Sequence, residues 1–460
     1  MEPFLLSFLA SCRPSFSRKA TFAWFVAVLT GIMWRDDMLG MTSFIRALGL
    51  APERYECLAN FFRSSAWDGG ELLARTAAWS HGQGLAVKRN GRIILPIDDS
   101  NVPKEGVRMP LVGTIRQASE TSAKPSHFRG HTWGLVTVLA ESGDKRFAIP
   151  AWCCIYEPGV NAQEGGKPRT CALVSAAIDV ARTLKEKSYI LGDAWFNNKT
   201  GVACVRKTKG EAELISRARV DAVGYEQPRP EPVRRGRKRR YGKKIKIRQL
   251  FDDPKTPFVE GRVTLYGKPE TVKLYAINLI RKPGDLIRFV LAKTRKGRIV
   301  VTSTDLDVES AEALELYALR APIEETFDAA KNVMGAKTGR FWTKALEPVS
   351  RRPARNAPRK CSSGKALDNA VRAHRNNVSL SLVALAFLQV FACRFGAEAV
   401  AMANFWTRTP SRATPSPRIA RKAIGILLRE LRHGQARGHA ETIFNKIGSN
   451  PDSKRADAVA

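Results

Sequence analysis

The sequence of 460 residues is 44% hydrophobic and carries a formal net charge of +33. Its length and apolar content predict two to four globular domains with real cores. The positive charge predicts a polyanionic partner, and nucleic acid is the first candidate. Ribosomal and membrane-surface proteins are also basic, but they are usually smaller or carry a basic amphipathic helix, and we identify no clear one in the sequence.

No segment of the sequence predicts a membrane span or a secretion signal. The apolar runs at 22–34 and 379–393 are shorter than the roughly 20 residues that a bilayer-spanning helix needs, so both are predicted as core helices. The chain begins Met-Glu-Pro, which is unlike a signal peptide. Its eight cysteines form no C-x-x-C pair and no Cys/His cluster with zinc spacing. We therefore expect a cytoplasmic protein with reduced thiols and no membrane partner.

The first 200 residues divide into a helical part and a strand-rich part. Apolar residues recur at helical spacing within 1–88, where positive and negative charges nearly balance, so a helical domain is predicted there. Four apolar runs then predict strands: 92–97, 133–140, 146–154 and 189–191. A helix is predicted between the third and fourth of these strands. An acid follows the first strand at Asp98 and the fourth at Asp193.

Residues 201–295 predict a second strand-rich segment, which contains a basic arm at 229–248. Between 217 and 250 there are thirteen Lys and Arg residues against three Asp and Glu residues. Such a run is often only a solvated surface, but its length and density favour contact with phosphates. Further along, a basic linker is predicted at 346–376, and a buried helix with a basic, partly disordered tail within 377–460.

Four residues near position 320 form the most informative pattern of the chain. Tyr317, Arg320, Glu324 and Lys331 have spacings of three, four and seven, which place them within an arc of about 60° on one helix. A carboxylate flanked by two cations and a phenol suits a metal-held phosphate. Taken alone, the pattern is more typical of a solvated helix face with i,i+4 ion pairs. Pro322 lies inside it and is expected to kink the helix or shift its start.

Asp98, Asp193 and Glu324 together form a candidate metal site. In α/β sheets, sites form outside the carboxyl ends of strands, where carboxylates can share divalent cations. Two Mg²⁺ ions about 4 Å apart would clamp the attacking and leaving oxygens of an in-line phosphoryl displacement. An acid after a strand can also be only a turn residue or a helix cap. The order of all three acids along the chain is therefore what carries the interpretation.

The order strand-Asp-x-Ser, strand-Gly-Asp-x-Trp-Phe, then Tyr-x2-Arg-x3-Glu-x6-Lys resembles the DDE transposases of bacterial insertion sequences, in the branch with a Y-R-E-K signature. The resemblance implies an α/β fold. We expect a ribonuclease-H-like mixed sheet with an inserted β-strand-rich subdomain, a helical N-terminal domain and a helical C-terminal segment. The catalytic domain would comprise 89–200 and 296–345, and residues 1–88 would recognise DNA ends. One departure is Ala321, where similar proteins often have Trp.

The resemblance also assigns the catalytic acids by motif. Asp98, Asp193 and Glu324 would be the acids and the ligands of two Mg²⁺ ions, for which Mn²⁺ can substitute. Asp99 is an alternative to Asp98, and Glu325 is an alternative to Glu324. The Asp-x-Ser pattern favours Asp98, and the spacing from the Tyr and Lys of the motif favours Glu324.

Partners and further contacts are implied in the same way. Tyr317, Arg320 and Lys331 would bind DNA backbone phosphates near the element end. The partner would be double-stranded DNA, as terminal inverted repeats and as target, bound by a homodimer that pairs two ends in the bacterial nucleoid. A metal-dependent structure-specific nuclease, and a non-catalytic DNA-binding protein or inactive copy, stay open as alternatives. Trp195 and Trp342 could stack on a base, but we expect Trp195 to pack in the core.

Neutralising the six cations at the centre of the basic arm should flatten the slope of log K for DNA binding against log salt. Each phosphate contact that is lost removes about 0.9 from this slope, because fewer counterions are released on binding. Titrations of one duplex at several salt concentrations measure it. An unchanged slope would assign the run to a solvated surface. The six residues are Arg234, Arg235, Arg237, Lys238, Arg239 and Arg240.

Overall fold

The structure, a computed structural model, describes residues 1–38, 40–116, 126–158, 169–228, 239–349, 360–403 and 413–432, with side chains in the last range to 430. Its helices are α1 (Glu2–Cys12), α2 (Lys19–Trp34), α3 (Thr42–Leu48), α4 (Arg54–Arg63), α5 (Gly69–His81), α6 (Arg169–Thr183), α7 (Lys199–Arg206), α8 (Ile247–Asp252), α9 (Ser310–Ala318), α10 (Pro322–Asp328), α11 (Gly364–Arg394), α12 (Gly396–Ala403) and α13 (Pro417–Arg432). Its strands are β1 (Lys88–Arg89), β2 (Arg92–Pro103), β3 (Gly113–Arg116), β4 (His127–Ser142), β5 (Lys145–Ile155), β6 (Lys187–Gly192), β7 (Ala212–Ala218), β8 (Val223–Tyr225), β9 (Lys244–Lys246), β10 (Val259–Leu265), β11 (Lys268–Arg281), β12 (Asp285–Thr294) and β13 (Gly297–Ser303). The α/β class predicted from the sequence is confirmed.

Five strands form the centre of the sheet in the order β5-β4-β2-β6-β7. β4 pairs antiparallel with both β5 and β2, whereas β6 pairs parallel with both β2 and β7. The four strands predicted between 92 and 191 correspond to β2, β4, β5 and β6, and α6 connects the last two as expected. This order sets β2 beside β6, and their parallel ladder ends at Pro96 and Leu191.

Side chains of β2 alternate between the two faces of this sheet. Ile93, Leu95 and Ile97 pack in the core that includes α6, whereas Ile94 packs in the core that includes α9. All four are fully buried. A strand with helices on both faces is apolar on both faces, which explains why the sequence shows a continuous apolar run before Asp98.

The sheet continues without a break into the second strand-rich segment. β7 pairs antiparallel with β13, from which the order runs through β12, β11 and β8 to β9. β7 lies in the range predicted as the insertion but is a strand of the central sheet, because it pairs with β6 along five positions. Residues 229–238 of the predicted arm lie outside the described residues. The last residues of the predicted arm, 244–248, form β9 and the start of α8.

The long helix α11 lies at the centre of the largest core. Its side chains between 370 and 392 are mostly buried, among α1–α5, β5 and α10. It begins at Gly364, inside the range predicted as a linker, where Ser363 Oγ accepts the N–H of Ala366 and caps the helix. Among the described helices, it is the one long and apolar enough to cross a membrane. However, 89% of its most apolar window is buried within the protein.

The helix α13 is a basic amphipathic helix that we did not identify in the sequence. Its apolar face is buried in the core that contains α2 and α11, through Ala420, Ala423, Ile424 and Leu428. Arg418 and Lys422 on the other side are exposed. Arg421 donates to the carbonyl of Ile32 at 3.1 Å, near the end of α2. The apolar face is thus covered by the protein itself.

Candidate active site

Asp98 lies within β2, which continues to Pro103, so the prediction that it follows the first strand is wrong. The parallel ladder between β2 and β6 nevertheless ends just before it. The last paired positions of these parallel strands are Pro96 and Leu191, so Asp98 and Asp193 each lie two residues beyond the ladder. After this point β2 turns to pair with β4 alone, from Ile97 onward. The two aspartates therefore lie at the same level, Asp98 within β2 and Asp193 directly after β6, and the charge of Asp193 contributes to raising the pKa of Asp98.

Arg320 connects Asp98 to Glu324. Its Nη1 donates to Asp98 Oδ2 and its Nη2 donates to Glu324 Oε1, both at 2.8 Å. The side chain of Arg320 is 15% exposed and that of Glu324 is 67% exposed, so the bridge runs from the interior to the surface. Burial lowers the pKa of Arg320, but the charges of Asp98, Tyr317 and Glu324 outweigh it, and the pKa is raised. The guanidinium is therefore charged and holds both acids.

Asp98 and Asp99 lie in different surroundings although they are adjacent. Burial raises the pKa of Asp98 from 3.8 to about 6, although Arg320 opposes the increase. Burial also raises the pKa of Asp99, with the charge of Arg169 opposing it. Successive side chains of a strand point to opposite faces, so Asp99 lies on the side of α6, which begins at Arg169. Of the two aspartates, Asp98 is the one that Arg320 contacts.

The segment from Tyr317 to Lys331 forms two helices and a π-helical turn rather than one helix. α9 ends at Ala318, α10 begins at Pro322, and the turn at 329–333 contains Lys331. Pro322 lacks a backbone N–H, which suits the first position of a helix and not its interior. The prediction that all four motif side chains share one helical face is wrong, because about 100° per residue does not hold across this break.

Lys331 ties the π-helical turn to β2. Its Nζ donates to Ser100 Oγ at 2.5 Å and to Asn101 O at 3.3 Å, and burial lowers its pKa. Tyr317 is half-buried, and burial raises its pKa while nearby arginines, Arg217 among them, oppose the increase. Arg320 and Lys331 thus contact β2 directly, and Glu324 is joined to Asp98 through Arg320.

Asp193 opens a tight loop that leads into α7. Its Oδ1 accepts the backbone N–H of Trp195 at 2.8 Å, and Asn198, which caps α7, donates to the Trp195 carbonyl at 2.8 Å. Phe196 is buried against Gly192, where an added Cβ would lie 2.7 Å from the Phe196 Cβ. Trp195 is 65% exposed, so the prediction that it packs in the core is wrong. The loop turns Phe196 inward and Trp195 outward.

A metal site is not preformed in the described part of the chain. There, no group of three or more His, Cys, Asp or Glu side chains is placed to hold a metal ion. The Arg320 guanidinium instead lies between Asp98 and Glu324. The donors nevertheless suit a hard cation, because they are carboxylate oxygens. A cation would fit if it displaced Arg320 from these acids.

The predicted phosphate-binding cations differ in where the structure places them. Sequence reasoning assigned Arg320 to phosphate binding and missed that it bridges two acids. Its i,i+4 spacing signalled the pair with Glu324, whereas nothing local signalled Asp98. Four of the six arm cations lie outside the described residues, and two, Arg239 and Arg240, are exposed. The four are Arg234, Arg235, Arg237 and Lys238.

A family comparison matches this part of the chain. Residues 12–260, more than half of the sequence, match the family model described as DDE superfamily endonuclease. The chain belongs to the DDE superfamily endonucleases. The DDE match includes Asp98 and Asp193 and ends before α9, so it covers the first two acids and not Glu324. Membership of this superfamily supports a nuclease or transposase function.

Solved structures show only weak similarity to this DDE chain. A cryo-EM structure of the piggyBac transposase synaptic complex with hairpin DNA is 12% identical, with a TM-score of 0.36, and the match covers 95% of this chain and 77% of that one. The NurA nuclease from Sulfolobus solfataricus is 13% identical, with a TM-score of 0.23, and the match covers 51% of this chain and 74% of that one. Scores this low carry no argument about fold or activity. A comparison with curated proteins found no match.

The buried carboxylate of Asp98 should make stability depend on pH. Its folded pKa of about 6 exceeds its ordinary value of 3.8, so between these values the folded protein retains a proton that the unfolded chain releases. Ionising the buried Asp98 lowers the free energy of unfolding. This loss is absent below the ordinary pKa of 3.8 and complete above the folded pKa of about 6, where it amounts to about 3 kcal/mol. Asp98→Asn removes this loss. The stability of the variant relative to the parent should therefore rise by about that amount from about pH 4 to about pH 7.

Urea unfolding at a series of pH values measures this difference. Glu325→Gln neutralises an exposed carboxylate that pairs with Lys145, and it serves as the control for loss of a surface charge. A difference between Asp98→Asn and the parent that stays constant with pH would contradict the predicted titration of Asp98.

Proposed function

We propose that the protein is a transposase that cleaves DNA at the ends of an insertion sequence and joins those ends to target DNA. The observation that carries the proposal is the pair of aspartates at level positions, one within β2 and one directly after β6, with Glu324 joined to the first through Arg320. Carboxylates from separate elements at one sheet edge suit in-line phosphoryl transfer with two divalent cations. Membership of the DDE superfamily endonucleases supports the cleavage step.

The proposed catalytic core is ribonuclease-H-like. Its antiparallel strands β2, β4 and β5 come first in the chain, and the parallel strands β6 and β7 follow. The order β5-β4-β2-β6-β7 sets the first and fourth of these five strands side by side. This topology supports the assignment, since it is what brings both aspartates to one edge.

Asp98, Asp193 and Glu324 are the residues that would hold the cations, proposed as two Mg²⁺ ions with Mn²⁺ as a substitute. When bound, such cations supply Lewis-acid stabilisation for the attacking and leaving oxygens of the phosphoryl group. Glu324 is 67% exposed, so it can change rotamer at little cost. Asp98 is fully charged only above its pKa of about 6. Arg320 gives up at least one of its two carboxylate contacts in the occupied site.

The DNA backbone is proposed to contact Tyr317, Arg320 and Lys331. Once released from Asp98, Arg320 presents a planar guanidinium that binds two phosphate oxygens at once. Lys331 is bonded to Ser100, two residues after Asp98, so its role includes holding that segment in place.

Double-stranded DNA is the proposed partner. A net charge of +33 supports a polyanion. Terminal repeats and target would be bound by a homodimer when two ends are paired, in the bacterial cytoplasm. Assignment to the Y-R-E-K branch of bacterial insertion sequences is part of the same proposal.

Asp193→Asn and Glu324→Gln should each lower the rate of Mg²⁺-dependent DNA cleavage by about a hundredfold or more, because a carboxamide is a poor substitute for an anionic ligand. Cleavage of a duplex that carries the element ends, with Mg²⁺ or Mn²⁺, measures the effect. Glu325→Gln is the matched control and should cut normally. Comparing Asp98→Asn with Asp99→Asn identifies the first acid. If Asp193→Asn and Glu324→Gln cut as well as the parent, the assignment is wrong.

Joining of cleaved ends separates a transposase from the alternatives. Precut ends with free 3′-hydroxyls, incubated with a target plasmid and Mg²⁺, should become covalently joined to it, because each hydroxyl attacks a target phosphorus in line and displaces the 3′-oxygen of the target strand. Sequencing of the junctions measures joining, and Asp193→Asn should yield none. Cleavage without joining would establish a structure-specific nuclease. Salt-dependent binding without either reaction would establish a non-catalytic DNA-binding protein.

A further inference from the structure

Cys171 and Cys204 lie against each other although they are 33 positions apart in the sequence. Cys171 is the third residue of α6, Cys204 belongs to α7, and both are free thiols. Their sulfur atoms are 2.8 Å apart. Because an S–S bond is about 2.05 Å long, the two sulfurs need to approach by only about 0.8 Å to form one.

Two further contacts hold α6 and α7 in this register. The hydroxyls of Thr170 and Thr200 are hydrogen bonded at 3.3 Å, next to the thiol pair. Ser175 Oγ, one turn along α6 from Cys171, donates to Cys204 Sγ at 3.8 Å. The apolar sides of both helices are buried in one core. Helix packing therefore brings the thiols together, and no large motion is needed for them to react.

The two thiols differ in how readily they begin a reaction. Both cysteines are half-buried, so a small reagent can reach them, whereas Cys12 is fully buried. Burial raises the pKa of Cys204 to about 11, and its hydrogen bond with Cys171 adds to the increase. At neutral pH Cys204 is therefore protonated and a weak nucleophile, because the thiolate is the reactive form. Exchange with a disulfide reagent is thus expected to begin at Cys171.

We propose that Cys171 and Cys204 form a redox modification site, at which a small-molecule disulfide such as glutathione disulfide converts them into one intramolecular disulfide. The Cys171 thiolate attacks one sulfur of the reagent, expels the first glutathione thiolate and leaves a mixed disulfide. Cys204 then loses its proton, attacks the Cys171 sulfur and expels the second glutathione thiolate. The two protein thiols are oxidised, and the reagent is reduced to two glutathione molecules, which take up the two protons.

The second step is favoured by proximity. Cys204 Sγ is already 2.8 Å from the sulfur that it attacks, so its reaction is intramolecular and has a high effective concentration. This proximity offsets the low thiolate fraction of Cys204.

The new bond joins the two helices that border the aspartates. α7 follows the loop that Asp193 opens, and Asn198 both caps α7 and holds that loop. α6 begins at Arg169, whose charge acts on Asp99. A covalent link between α6 and α7 restricts local opening of α7 and of the loop before it. This consequence concerns the stability of one segment, and it does not depend on the proposed function.

The test uses the full-length protein, treated with glutathione disulfide, alkylated, digested without reduction and analysed by mass spectrometry. The peptides joined through Cys171 and Cys204 should be at least about tenfold more abundant than any other joined pair, because the second step is intramolecular. The exposed Cys57 is an internal control and should carry only a mixed disulfide with glutathione. Cys204→Ser should stop the reaction at the mixed disulfide on Cys171. Treatment in concentrated guanidinium chloride should abolish the preference.

Hydrogen exchange of the oxidised and reduced protein is the second readout. Amides of α7 should exchange about tenfold more slowly after oxidation, those of α9 should be unchanged, and dithiothreitol should restore the original rates. The modification site is overturned if the native protein forms the bond no more readily than the denatured chain, or carries only mixed disulfides at both cysteines. A disulfide that leaves exchange in α7 unchanged would overturn the restraint on that helix.

Discussion

The Arg320 guanidinium is the contact on which the arrangement of the site depends. It joins the motif helices to β2 across 222 positions of sequence. A carboxylate as buried as Asp98 needs a charged partner, and the two-pronged guanidinium serves Asp98 and Glu324 at once. The charge that lets the fold tolerate these acids also competes with any cation that they bind. Folding stability and cation affinity therefore depend on one side chain.

The strands and the acids that follow them could be predicted because both depend on local sequence. Apolar runs before Asp98 and before Asp193 are typical of buried strands, although β2 continues past Asp98 to Pro103 because it pairs there with β4. Alternation of such runs with helical patterns indicates the α/β class. The placement of the two aspartates at one level is different, because it requires β2 and β6 to be neighbours. No local pattern specifies that pairing, and only the family resemblance implied it.

Features that depend on tertiary contacts could not be predicted. Trp195 and Phe196 are adjacent aromatic residues, and the hydrogen bonds of a folded loop decide which of them turns inward. α11 begins at Gly364 because Ser363 caps it and its later turns are buried, in a stretch whose charge suggested a linker. The contact of Arg320 with β2 leaves no local signature either. In each case the deciding partner is distant in sequence or belongs to the backbone.

The pairing of β7 with β13 protects the sheet against aggregation. An edge strand offers unpaired N–H and C=O groups to strands of other molecules. β13 covers the outer edge of β7, and the successive strands carry the free edge outward to β9. That strand is three residues long, and its exposed Lys244 and Lys246 discourage the addition of another strand. The inserted strands thus cover an edge of the central sheet. A shortened chain that lacked them would expose β7 as an unpaired edge strand and would be expected to aggregate.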